Sequence, residues 1–273
     1  AITTTATSNI GLGANAVNSI TTGDYNIGLG GESLTAATSG ENNTAVGYGS
    51  LADNTTGHRN SAVGTSSLGN NTTGLNNTAL GALSLFTNTT GNNNVAIGRD
   101  VLNANTTADS NTGVGYEALR VNTTGEENVA VGANALDANT TGSYNNAVGT
   151  GALTTNTTGT KNNAFGYSAL ELNTTGNFNV AVGHKTLEAN TTASYNTGLG
   201  YFSLTTNTTG ANNVAVGFRA LQSNTTASDN VAVGYDSLYA NTTGTKNVAL
   251  GKEALAANTT GDENVAVGMY SLT

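Results

Sequence analysis

The chain has 273 residues, no proline, cysteine or tryptophan, 5% aromatic residues and a formal charge of −9 from 17 acidic and 8 basic side chains. That composition excludes a disulfide framework, a thiolate metal site and a large aromatic core, and a dilute acidic surface without clustered Lys and Arg disfavours nucleic acid as a partner. No apolar run is long enough to cross a bilayer as a helix, so no membrane insertion is expected.

One seventeen-residue unit, typified by NVAVGANALDANTTGSY at 128–144, recurs sixteen times from Asn9 onward without a slip in period. Self-similarity at a fixed period marks a stacked repeat in which each unit contacts its neighbours. Seventeen residues are too few for a helical hairpin, since helix-pair repeats need roughly thirty or more. The chain therefore reads as all-β, a parallel β-solenoid (β-roll) of sixteen coils filling 1–273 as a single repeat domain, with no separate cap or anchor domain expected. At about 4.8 Å per coil, such a stack would be a rod on the order of 75 Å long.

Position one of the unit is Asn throughout, from Asn9 and Asn26 to Asn264. On a strand, that column predicts stacked amides hydrogen-bonded from coil to coil. Positions two to four, Val-Ala-Val at 129–131, read as a strand with two and four on one face and one, three and five on the other. Position four is always apolar, as in Leu12, Val46, Phe165 and Val267, so its face is expected to be the core. Position three, only ever Ala or Gly, is expected to look outward against another surface. Position five is Gly in all sixteen units, which calls for positive φ or a backbone approach too close for a Cβ. Leu at position nine, replaced only by Val17, is expected on a short opposing strand as the second core residue. From Asn54 onward, positions twelve to fourteen read Asn-Thr-Thr, followed by Gly or by Ala108, Ala193 and Ala227. This is turn chemistry, with Asn able to bond the backbone ahead of it. The first two units differ, with Ile20 and Ala37 where later units have Asn.

The segments NTAVGYGSL (43–51) and NVAVGYDSL (230–238), with the connecting NTTG, resemble the repeats of bacterial and phage tail-fibre-domain proteins. Some of those chains end in an endosialidase-type intramolecular chaperone domain. More distantly, the pattern Asn-x-Ala-x-Gly is similar to the head repeats of YadA-type trimeric autotransporter adhesins, which form a parallel β-roll in a three-chain bundle. The resemblance implies an extracellular, cell-surface or virion location and self-association as a lateral trimer, while open strand edges at the coil ends would suit a head-to-tail filament instead.

Little material for catalysis is present. His58 and His184 stand in units far apart, and Gly-x-Gly at Gly11-Leu12-Gly13, Gly28-Leu29-Gly30 and Gly198-Leu199-Gly200 arises merely where position three is Gly. No position carries a carboxylate in every coil, so no calcium ladder, no other metal and no cofactor is expected. The strongest polar signal is a column of Asn-x-Thr acceptors: Asn54, Asn71, Asn88, Asn105, Asn122, Asn139, Asn156, Asn173, Asn190, Asn207, Asn224, Asn241 and Asn258. These are candidate glycosylation sites, with covalent glycans at the Asn or the adjacent Thr; the bland reading of the same column is a turn that needs Asn anyway. Stacked threonines would also suit an ice-binding solenoid, although adjacent Thr residues point to opposite faces and leave one column for ice.

The expected function is a non-enzymatic structural fibre or filament segment. The alternative is an adhesin or tail-fibre head that binds a surface receptor, and an ice-binding solenoid is the remote one.

Overall fold

The seventeen-residue period becomes one coil per unit in a computed structural model, which describes residues 6–273. Each coil has one three-residue strand at positions two to four, and turns and bends occupy the rest; no helix forms among the described residues. The fold is an all-β parallel solenoid with seventeen residues per turn. The coils fall into two compact units, Ala1–Thr141 and Gly142–Thr273. In the first, strands run from β1 (Ile10–Leu12) and β2 (Ile27–Leu29) at seventeen-residue intervals to β8 (Val129–Val131), each parallel to the next and in register, Ile10 opposite Ile27 and Leu12 opposite Leu29. In the second, β9 (Asn146–Val148), β10 (Asn163–Phe165) and β11 (Val180–Val182) begin a similar series that ends at β16 (Val265–Val267), with Ala164 opposite Ala181.

The facing of the strand is the reverse of the sequence expectation. Position three is inside: Ala45, Ala62, Ala130, Ala181 and Ala232 are all 0% exposed. Position four is outside, with Leu80 47%, Phe165 42% and Val131 37% exposed. The larger apolar residue lies outside because the coil interior is narrow. Leu at position nine enters from the opposite wall and is fully buried from Leu34 to Leu221, and the amides of positions one and twelve line the rest, which leaves room for a methyl group. Small size at position three thus reflects the interior and no longer argues for a neighbouring chain.

A second correction concerns Leu at position nine, which lies in no strand. It adopts a left-handed conformation, at φ 52° in Leu136 and 50° in Leu221, as do the residues at positions seven and seventeen, such as Asn134 at 57° and Lys161 at 58°. Three left-handed residues per coil are costly for side chains with a Cβ. They are held by hydrogen bonds to both neighbouring coils: Glu32 N–H donates back to Ala14 C=O at 2.8 Å, and Leu34 N–H donates forward to Ser50 C=O at 3.1 Å. Stability is then largely a sum of coil-to-coil terms.

Gly at position five meets both requirements read from its invariance. Its φ lies between 123° and 142°, and a Cβ on Gly30 would stand 2.6 Å from the Gly47 carbonyl oxygen. Gly at position three has another cause. A Cβ on Gly198 would meet Thr186 Cγ2 at 2.5 Å, and one on Gly113 would collide with Val101 Cγ1. Thr186 and Val101 sit at position eight of the preceding coil, where every other unit carries Ala or Ser. A β-branched residue there therefore takes the space of the next coil's methyl.

Candidate functional site

Two asparagine columns line each unit. At position one, Asn43 N–H donates to Asn26 Oδ1 at 3.0 Å, and Asn43 Nδ2 donates across the coil to Gly57 C=O at 2.9 Å. The second unit repeats this with Asn179, Asn162 and Ala193 C=O. At position twelve, Asn71 Nδ2 donates to Asn54 Oδ1 at 2.8 Å and to Gly74 C=O at 3.1 Å; Asn173 does the same to Asn156 and Gly176. In-register parallel stacking makes this possible, because identical amides one coil apart offer each other a donor and an acceptor. The predicted amide ladder at position one is thus present, and a second one runs through the Asn-Thr-Thr turn. Ile20 and Ala37 occupy the second column together in the first two coils and are buried, so no amide there lacks a mate.

This geometry bears on the candidate glycosylation sites. Every one from Asn54 to Asn241 is 0% exposed, and Asn258 is half-buried. The nitrogen that would carry a sugar is already donating within the wall, as in Asn88, Asn105, Asn190, Asn207 and Asn224. The next residue is also engaged: Thr55 Oγ1 donates to Thr72 C=O at 3.0 Å, and Thr174 Oγ1 to Thr191 C=O at 3.0 Å. In every such coil but the last, only the third residue of the triplet, Thr56 or Thr175 for example, is exposed.

The outward strand face forms the other recurrent surface. None of the thirty-two residues at positions two and four of the sixteen coils is charged, and all sixteen at position four are apolar. In the second unit this face is bordered by an aromatic column at position six, in which Tyr167, His184, Tyr201, Phe218 and Tyr235 stack at centroid distances of 5.1, 4.9, 5.7 and 5.2 Å. Their ring faces cover one another, so the column presents edges and hydroxyls. Eleven of the fifteen Tyr and Phe residues lie in this unit, which separates it from the first. On the far border, Lys161 Nζ lies 5.1 Å from the Phe178 ring centroid and 5.9 Å from that of Tyr144.

Charges keep off the outward strand face and sit in the columns around it. Arg120 pairs with Asp137 at 2.9 Å, Lys246 with Glu263 at 3.3 Å, and Arg219 with Asp236, each across one coil. Such partly exposed pairs contribute little. The Tyr48 hydroxyl donates to Glu32 at 3.0 Å, which holds its proton above the usual phenol range. Hydrogen bonds from Thr245 N–H and Oγ1–H hold the Asp262 carboxyl below its ordinary value. His58 Nδ1 accepts from Glu41 N–H in the first unit, whereas His184 is stacked between tyrosines in the second. Among the described residues no pocket opens, no group of three or more His, Cys, Asp or Glu is placed to hold a metal ion, and no helix is long and apolar enough to cross a membrane. No known family model matches the chain, and comparison with curated proteins finds no match.

Proposed function

We propose that the chain is a non-enzymatic structural segment of an extracellular fibre or filament, at a cell surface or on a virion, in which copies pack side by side through the outward strand face. The observation that carries this reading is the apolar column at position four. Its residues face away from their own coil, yet none of the sixteen is polar. Eight rungs at about 4.8 Å and three strand residues at about 3.3 Å give each unit a face on the order of 400 Å². That lies within the roughly 300–600 Å² of the largest patch on a typical monomer, which is often functional, and is about half of the roughly 800 Å² per partner of a standard interface. A second copy fits best, because only a stack with the same rise keeps every rung in contact. The repeats' likeness to those of fibre proteins and of three-chain adhesin heads favours a lateral three-chain bundle over a head-to-tail filament.

Electron microscopy of the purified chain tests this directly. Bundles or filaments are expected, and isolated single chains at every concentration would contradict the proposal. A second reading, an adhesin or tail-fibre head binding a surface receptor, is favoured by the aromatic column from Tyr167 to Tyr235, since tyrosine edges and hydroxyls are common at recognition surfaces.

A further inference from the structure

Of the side chains that recur in every coil, all but two make contacts inside their own chain. The asparagines of positions one and twelve and the threonine of position thirteen are hydrogen-bonded, Ala and Leu fill the interior, and both glycine columns lie against the next coil's backbone. Position four faces outward and is accounted for by the lateral contact. The other exception is position fourteen, which is Thr22, Ser39, and then Thr in every coil from Thr56 to Thr260. Each of those threonines is exposed, and among the described residues none of their hydroxyls makes a hydrogen bond.

A turn alone does not require a hydroxyl at an exposed rung. Other exposed positions drift freely, position seventeen running through Tyr25, Asn42, Arg59, Ser110 and Glu127. A partner that reads shape, an ice lattice included, would meet a different surface at each coil. A reaction that reads the local Thr-Thr turn would meet the same substrate in every coil from Thr56 to Thr260. We propose that the position-fourteen threonines are acceptors for O-linked sugar, one small pyranose per modified rung, since branched glycans would collide at a spacing of about 4.8 Å. In the transfer, the Thr Oγ1 bonds to the anomeric carbon of a nucleotide-activated sugar while the bond from that carbon to the phosphate oxygen breaks. The nucleotide leaves as its diphosphate, and the hydroxyl proton passes to a base of the transferase. The proposal does not depend on the fibre reading.

The same threonine is also the third residue of an Asn-x-Thr acceptor, so the test must separate the two linkages. Full-length chain from its native source is digested with trypsin, and peptides 162–185 and 186–219 are mapped by fragmentation that preserves the sugar bond. Hexose or N-acetylhexosamine increments on Thr175, Thr192 and Thr209 are expected, lost on alkaline β-elimination to leave a dehydrated residue at those positions. In the native host, Asn173→Gln should keep the increment on Thr175. Unmodified threonines, or sugar that resists β-elimination and maps to Asn173, would overturn the proposal, as would sugar on Thr174.

Discussion

Val101 and Gly113 share one volume between consecutive coils, the valine Cγ1 filling the place a Cβ on Gly113 would need. Gly113→Ala should therefore overpack the interior and cost about 1–3 kcal/mol. In a Val101→Ala background the same substitution should cost much less, with a coupling of about 0.5–3 kcal/mol in a double-mutant cycle measured by denaturant unfolding. Strict additivity would mean that the two residues do not compete for space.

That pair also marks the limit of what was legible in the sequence. Period, coil architecture, the position-one ladder, the positive φ of Gly at position five and the burial of Leu136 all follow from recurrence and residue chemistry. The facing of Ala130 and Val131 did not, because size usually orders residues from core to surface, and here the interior accepts a methyl but not an isopropyl group. The clue was available: the only glycines at position three beyond the second coil, Gly113 and Gly198, each follow a coil with a β-branched residue at position eight. Such compensation is expected only of residues that meet inside. The left-handed conformation of Leu136 left no such trace, since leucine has no preference for positive φ and is held there by its neighbours.

Removing one rung of the inner amide ladder should be felt by both neighbours. Asn71→Ala would take the donor from Asn54 Oδ1 and Gly74 C=O and the acceptor from Asn88 Nδ2. The expected loss is about 1–3 kcal/mol per group left unpaired, read as a lower thermal midpoint. Asn71→Asp should be worse at neutral pH, because it also buries a charge. Partial recovery on acidification would follow from neutralising that charge.

Asp262 provides a check on the outer wall. Its folded carboxyl titrates below the ordinary value because Thr245 donates two hydrogen bonds to the charged form. A depressed folded value means that its contribution is present above the unfolded pKa and is lost as pH falls through the folded one. Carboxyl chemical shifts followed by NMR should show Asp262 titrating below a neighbouring free acid, and Thr245→Val, which keeps the backbone N–H donor, should remove only the hydroxyl's smaller part of the difference.

Adjacent residues on one strand should respond oppositely to the same change. Ala181→Lys forces a charged chain into an interior with no space or partner and should abolish folding of the surrounding coils. Val182→Lys, on the outward face, should stay within about 0.5 kcal/mol of the parent when measured in dilute solution. Circular dichroism melts of the two variants would show it; equal damage from both would mean that the strand is not sided.

Whether the outward face is a contact between copies is decided most directly by sedimentation velocity across a concentration series, comparing the parent chain with the triple variant Val182→Lys, Val216→Lys, Val233→Lys. The parent should sediment as a multiple of 27.2 kDa, and the variant, folded by circular dichroism, as a single chain. A parent that remains one chain at every concentration, or a variant that assembles as the parent does, would contradict the account.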